Sequence, residues 1–376
     1  MPLMPSTPAS PSTPSLPGRC PTRITALAGG IGGARFLRGL RAYLDRLAPS
    51  LDGPVELTII GNTGDDIWLH GLRVSPDLDT LLYTLGGGVH EGQGWGRADE
   101  TFAVQTELLA YGSGPDWFGL GDRDFATHIM RSRLLAQGDT LSQVTARLAD
   151  RWGLPEQHIR LLPMTDQPVE THVIVPESAF PDAEQADSAA TDGERAIHFQ
   201  EWWVRHQAAL PASRFVVAGL DRASAAPGVL DAIRGADLVV LPPSNPVVSI
   251  GIILLVPGVR EALRGTSAPV VGISPIVAGR PVRGHADACL DAIGVETSAA
   301  AVAGLYADFL DGWLVADSDD DAVDTLRRTQ PDLVVEAHPL LMSGPDATEA
   351  IAAAAVDLGV RLAERRRDAG PGSATA

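Results

Sequence analysis

The sequence predicts an α/β protein: a parallel, doubly wound sheet with a helix-rich region inserted over one end. Three observations carry that prediction. Short apolar runs alternate with runs of helical period from Ile24 onward, the pattern of repeated βαβ units. The first apolar run ends in a glycine cluster that opens directly into a helix, "LAGGIGGARFLRGL", a turn suited to the crevice of such a sheet. The stretch from about 78 to 159 carries successive helical patterns with no strand between them, so it stands outside the alternation.

Residues 1–22, "MPLMPSTPASPSTPSLPGRCPT", are rich in Pro, Ser and Thr and almost uncharged. They cannot bury enough apolar surface to order themselves and are expected to be a disordered tail. "ITALAGG" is the first strand, and "GGARFLRGLRAYLDRL" is a helix with Phe36, Leu37, Leu40 and Leu44 on one face. "VELTII" is the second strand. "DTLLYTLG", "DETFAVQTELLAYG" and "RDFATHIMRSRLLAQG" are helices closed by glycine, and "TLSQVTARLADRWG" repeats the pattern.

"IRLLPM" and "THVIVP" then read as strands. Residues 177–194 are acidic with little hydrophobic content, a surface excursion, and "FQEWWVRH" brings three aromatics close together. Alternation resumes with strand "RFVVAGL", helix "GVLDAIRG" and strand "ADLVVLPP". After "NPVVSIGIILLVPGVREALRG" come strand "APVVGISP", helix "ADACLDAIG" and a last helix "DATEAIAAAAVDLGVRLAERRR". The division that follows is a tail at 1–22, a core of 23–77 and 160–345, an inserted helical region at 78–159 over the active site, and a C-terminal helix and tail at 346–376.

Composition narrows the function. A chain of 376 residues with 45% hydrophobic and 20% charged residues can bury a large core. The balance of 29 basic against 47 acidic residues, a net charge of −18, disfavours a nucleic-acid partner and makes any local arginine cluster informative. Cys20 and Cys289 form neither a disulfide framework nor a zinc spacing. The longest apolar run, Ile250–Val256, is far short of the ~20 residues that span a membrane. No secretory leader pattern opens the chain. The expectation is a soluble, cytoplasmic protein with no membrane partner.

Three strand-end turns carry candidate chemistry. The first is the glycine loop, Gly29, Gly30, Gly32 and Gly33, whose free amides at a helix N-terminus suit an anion. A tight packing turn is the alternative. The loop does not fit the dinucleotide fingerprint: Gly30-x-Gly32 is present, but Arg35 occupies the third glycine position and "IIGN" ends the second strand without an acidic residue. Arg35 and Arg38 stand just inside the helix, within reach of an anion or of solvent.

The second is "GNTGDDIWLHGLRVSPDLDT". Asn62, Thr63, Asp65 and Asp66 follow the second strand and rim the crevice, with Asp77 and Asp79 close behind. Carboxylates so close repel one another unless a cation lies between them. Hard oxygen donors without Cys or His indicate Mg²⁺ shared with substrate phosphates, held by Asp65 and Asp66. The competing role is helix capping: Asp65 or Asp66 for "IWLHG", Asp77 or Asp79 for "LLYTLG". The third turn is "PPSNPVVSIG", where Ser244, Asn245, Pro246 and Ser249 face the same crevice or serve as ordinary turn residues.

Other residues are weaker. His128 in "GDRDFATH" reads as a packed helix histidine, and Trp202 or Trp203 as a core or lid cluster or a stacking surface for a flat heterocycle. No GxSxG or Cys/His pairing stands out.

The motifs also occur together. "LAGGIGGARFLRGL", "GNTGDDIWLHGLRVSPDLDTLLYTLGG", "WFGLGDRDFATHIMRS", "LLPMTDQPVETHVIV", "IHFQEWWVRH", "PPSNPVVSIGIIL" and "ISPIVAGRPVRGHAD" follow one another. In that order they resemble the 2-phospho-L-lactate transferases of coenzyme F-420 biosynthesis, from about Thr22 to Asp317. "GGARFL" and "IHFQEWWVRH" resemble the actinobacterial branch most.

The resemblance implies a Rossmann-like core with an inserted helical region, a Mg²⁺-dependent transferase, and a homodimer. It implies that the ribityl hydroxyl of 7,8-didemethyl-8-hydroxy-5-deazariboflavin attacks a guanosine diphosphate-linked donor of a three-carbon acid, enolpyruvyl in this branch and lactyl in the archaeal one, releasing GMP. Read onto this chain, Asp65 and Asp66 are catalytic and hold the metal. Gly29, Gly30, Gly32, Gly33, Ser244, Asn245, Pro246 and Ser249 bind the donor nucleotide. Asn62, Thr63, Asp77, Asp79 and Trp95 bind the deazaflavin, with Trp202 as a second candidate for its ring.

Two departures limit the transfer. Gly284-His285-Ala286 stands where archaeal members read Gly-Pro-Ala, and "GGIGGARF" replaces "GGTGTPKL", so side-chain contacts made there by threonine or lysine do not carry over. The alternative reading is a sugar-nucleotide-binding regulatory protein similar to gluconeogenesis factor, which shares the glycine loop and the Ser-Asn-Pro turn.

Overall fold

The computed structural model describes residues 20–51, 53–180 and 193–368. The disorder expected of the N-terminal tail falls almost wholly outside these residues, as does most of the acidic excursion.

Strand β1 (Arg23–Ala28) leads through α1 (Gly30–Leu47) to β2 (Glu56–Gly61). A hairpin follows, β3 (Ile67–Leu69) and β4 (Leu72–Val74), then four helices, α2 (Pro76–Leu85), α3 (Ala103–Ala110), α4 (Asp122–Ala136) and α5 (Leu141–Arg151), before β5 (Ile159–Pro163). Next come β6 (Glu170–Pro176), β7 (Glu194–His198), β8 (Arg214–Ala218), α6 (Val229–Arg234) and β9 (Leu238–Leu241). The chain then runs through α7 (Ile252–Leu255), α8 (Val259–Gly265), β10 (Val270–Ile273), β11 (Ile276–Val277), β12 (Arg280–Pro281), α9 (Ala286–Ala292) and α10 (Ala299–Gly304). It ends with β13 (Gly312–Ala316), α11 (Asp320–Thr329), β14 (Val334–His338) and α12 (Pro345–Asp368).

Seven strands form one parallel sheet in the order β14-β13-β10-β9-β1-β2-β5. Within it Ala26 faces Ile59 on one side and Val240 on the other. Alternate residues of each strand enter opposite layers, as the pleat requires. Ile24, Ala26, Leu57, Ile59, Leu238 and Val240 pack under α1, α2, α5 and α12. Leu27, Ile60, Val239 and Leu241 pack against α6, α8, α10 and α11. Both faces are covered, which is why these strands read as continuous apolar runs. Strand order reverses between β1 and β9, so the crevice for a ligand lies at their carboxyl ends.

Helix α12 lies in the first layer. Its small residues allow close approach: a Cβ on Gly359 would press on Leu238, and one on Gly39 of α1 would overlap Thr348.

Two local expectations are corrected. "IWLHG" is not a helix but the β3–β4 hairpin, turned at His70 and Gly71 with φ of 53° and 74°. Asp65 and Asp66 therefore have no helix there to cap. "RFVVAGL" does not join the main sheet: β8 pairs antiparallel with β6, which also pairs with β7. Its alternately exposed pattern suits a sheet with one wet face rather than a strand buried on both.

Candidate active site

A cavity of about 620 Å³ opens at the carboxyl ends of β1, β9 and β10 and is walled by α2, α4 and the loops of the helical region. That is within the usual range for a small-molecule site. At its sheet end, β1 runs straight into α1 through the N-cap Gly29, which brings no side chain. The first-turn amides of α1 therefore stand at the cavity, which Gly30, Ile31 and Gly32 line. The Gly29 N–H donates to Ser244 Oγ at 3.2 Å, and the Gly30 N–H to Asp77 Oδ1 at 2.8 Å. Glycine is required at two of these positions: Gly30 has φ +65°, and a Cβ on Gly32 would overlap the Pro243 carbonyl.

The turn after β9 supplies Ser244, Asn245 and Ser249 to the same wall. Asn245 caps its own helical turn, accepting from the amides of Val247 and Val248. Pro246 is buried behind that turn and does not reach the cavity, and Gly33 is likewise a packing position against Ser244.

The acidic cluster divides in two. Asp65 and Asp77 both line the cavity and are joined by Asn62, whose amide donates to Asp65 Oδ1 at 3.2 Å and Asp77 Oδ2 at 2.9 Å. Among the described residues neither has an ion-pair partner. Burial, then repulsion from Asp77, pushes the Asp65 carboxyl well above its ordinary range. Burial pushes Asp77 up to about 6, against hydrogen bonds from Asn62 and Gly30. A buried carboxylate pair without a counter-charge has the donor chemistry of a hard-cation site.

Asp66 and Asp79 are committed elsewhere. Asp66 turns away from the cavity and accepts from Arg73 Nε at 3.0 Å and Ser75 Oγ at 2.7 Å. The neutral His198 Nε2–H donates to the Asp66 carbonyl at 3.1 Å and fixes the turn. The carboxylate pair is thus Asp65 with Asp77, not Asp65 with Asp66, because a buried guanidinium already claims Asp66. Asp79 lines the cavity but is paired with the fully buried Arg131. Neither Asp77 nor Asp79 is the N-cap of α2, a place taken by Ser75. Thr63 is buried and outside the cavity. Among the described residues no group of three or more His, Cys, Asp or Glu is arranged around a metal position, so a cation here would need ligands from a bound phosphate.

The far wall is apolar and aromatic, with Val74, Tyr83, Trp95, Phe118 and Leu120. Trp203 lines the cavity beside Gly284, its ring edge-on to His285 at 5.1 Å. Trp202 does not: it is fully buried under the small antiparallel sheet, its Nε1–H donating to the Leu210 carbonyl at 2.8 Å. Arg35 and Arg283 also line the cavity without an ion pair among the described residues. Arg283, Tyr83 and Phe118 were not among the residues singled out from sequence. All three lie inside the motif stretches quoted above, but nothing in their spacing sets them apart there; loops and the helical region bring them to the cavity.

Fold and cavity define the class: a Rossmann-like α/β protein with a ligand cavity at its topological switch point. The chain belongs to the 2-phospho-L-lactate transferase CofD family, whose model matches residues 24–341, and is by that membership a transferase. It is 59% identical over 344 residues to the phosphoenolpyruvate transferase of Thermobifida fusca, spanning 91% of this chain and 99% of that one. It is 55% identical over 344 residues to the protein of the same name from Streptomyces coelicolor, at 91% and 99% coverage. The phosphoenolpyruvate transferase of Mycolicibacterium smegmatis is 51% identical over 349 residues, at 90% and 100%. A crystal structure of a UPF0052-family protein from Bacillus halodurans shares the fold, with a TM-score of 0.54 at 16% identity over 89% of this chain and 99% of that one.

Proposed function

We propose that this transferase moves the phosphoenolpyruvyl group from a guanosine diphosphate-linked donor to the ribityl hydroxyl of 7,8-didemethyl-8-hydroxy-5-deazariboflavin. The observation that carries the reading is the placement of the Asp65–Asp77 pair between helix-terminal amides on one side and an apolar, aromatic wall on the other. A diphosphate suits the amides of Ile31 and Gly32, the Gly30 amide being held by Asp77, together with the hydroxyls of Ser244 and Ser249. Arg35 and Arg283 add the positive charge that an anionic donor needs in a chain of net charge −18. A flat deazaflavin suits the wall of Tyr83, Trp95 and Phe118. The names of the most similar relatives favour the enolpyruvyl over the lactyl group.

In the reaction the ribityl oxygen attacks the phosphorus that bears the three-carbon acid. The bond from that phosphorus to the bridging oxygen breaks, GMP departs with that oxygen, and the hydroxyl proton passes to water. The product is the phosphodiester dehydro coenzyme F-420-0. Phosphoryl transfer of this kind depends on positioning and charge neutralisation rather than a covalent nucleophile. The residues fit Mg²⁺: Asp65 and Asp77 would hold it, and bound there it supplies neutralisation of the donor phosphates. Asn62 keeps the two carboxylates aligned, and the cavity wall keeps the hydroxyl directed at them.

The test is GMP release by the full chain with deazaflavin and Mg²⁺, comparing the enolpyruvyl and lactyl donors. GMP formed faster from the enolpyruvyl donor is the expected result. No GMP from either donor, together with tight binding of a UDP-sugar, overturns the reading in favour of a regulatory sugar-nucleotide binder.

A further inference from the structure

One side chain of the cavity wall has a chemical role that the transfer does not use. His128 is 2% exposed and lines the cavity. Its Nδ1 lies 3.1 Å from Arg131 Nη1. A guanidinium can only donate, so Nδ1 must accept and the ring proton must sit on Nε2. Arg131 is itself held by Asp79 and by the Arg73 carbonyl, so the tautomer is fixed from behind. Burial pushes His128 down to about 4, and the ring stays neutral. The Nε2–H that results is buried and has no partner among the described residues. A buried donor without an acceptor costs about 1–3 kcal/mol unless something fills the position.

Asp124 stands one helical turn earlier on the same face of α4 and also lines the cavity. Its Oδ1 is buried and accepts no hydrogen bond of good geometry among the described residues, the Tyr83 hydroxyl being its polar neighbour, while Oδ2 lies near Gly96, beside Trp95. The wall thus presents the His128 donor and the Asp124 carboxyl side by side, with the Tyr83 hydroxyl next to that carboxyl and Val74 and Leu120 around them. A flat heteroaromatic ring with a carbonyl next to a ring N–H matches that pair.

We propose that His128 and Asp124 read the imide edge of the acceptor's ring, His128 Nε2–H donating to a ring carbonyl and Asp124 accepting the adjacent ring N–H. On this account His128 determines specificity for the acceptor, and Arg131 with Asp79 is the positioning pair behind it. The inference rests on the proposed function, since it takes the deazaflavin as the ring.

The experiment titrates the full chain with the deazaflavin, following its fluorescence, and separately with GDP. His128→Phe should bind the deazaflavin about tenfold more weakly or worse, with GDP affinity unchanged, and His128→Gln, which keeps an N–H donor, should restore most of it. The deazaflavin methylated on its ring imide nitrogen should bind the unaltered protein about tenfold more weakly. Undiminished binding of the methylated ring overturns the proposal whatever the variants do, including a His128→Phe protein that fails to fold. Undiminished deazaflavin binding by His128→Phe overturns it too, as does an equal loss of GDP affinity, which would mark a structural role. If the unaltered protein binds GDP but not the unmethylated deazaflavin, the functional reading itself falls, and this proposal with it.

Discussion

At the residue scale, adjacent aspartates have opposite tasks. Asp65 faces the cavity without a counter-charge, while Asp66 is buried against Arg73 and Ser75. Removing the charge from Asp66 would leave a guanidinium whose side chain is only 4% exposed with just the more distant Glu170 carboxylate, at 3.9 Å. Breaking one partner of a buried pair costs about 3–5 kcal/mol. Asp66→Asn should therefore lower the melting midpoint by several degrees, read by calorimetry, and an unchanged midpoint would contradict the assignment. Asp124 makes a different prediction. Burial and the nearby Asp79 raise its carboxyl from 3.8 to about 7. The folded protein thus holds that proton more tightly than the unfolded chain. Its contribution to stability is fully present below about pH 4 and is lost as pH rises through about 7. Asp124→Asn should be the more stable protein at pH 8, and the gap should close as the pH falls toward 4. A gap that does not change with pH, in thermal melts across that range, would contradict this.

At the scale of elements, what was legible in the sequence followed from local rules. Strand β1, the glycine loop and α1 are adjacent in the chain, and the stripe of Phe36, Leu37, Leu40 and Leu44 sets the buried face of α1 without help from elsewhere. The β3–β4 hairpin was less legible because each arm is three residues long. Its signal was present in His70-Gly71 between Ile67/Leu69 and Leu72/Val74, with Trp68 turned outward at 52% exposure. The pairing of Asp65 with Asp77 was not legible, since α2 delivers Asp77 from twelve positions away and Asn62 joins the two only in three dimensions. Helix α12 lies beyond the stretch of motif resemblance, yet it completes one core layer. It buries Ile351, Val356, Leu358, Val360 and Leu362, each worth about 1.5–3 kcal/mol. Their sum rivals the whole net stability of a typical domain, about 5–15 kcal/mol. Ending the chain after Gly344 should abolish cooperative unfolding, and a truncated protein with a sharp thermal transition would refute that placement.

At the scale of the molecule, the sheet and the helical region each contribute one side of the cavity. The sheet brings backbone amides and hydroxyls at strand ends, where polarity is fixed by the fold. The helical region brings the apolar wall and the buried Arg131–Asp79 pair. Between them stands the carboxylate pair, and its place in the transfer is the central claim. The most direct measurement is GMP formation by Asp65→Asn and Asp77→Asn with the enolpyruvyl donor, deazaflavin and Mg²⁺. Turnover should fall by about 100-fold or more in each, with melting midpoints equal to or above that of the unaltered protein. Near-normal turnover in both variants would contradict the account.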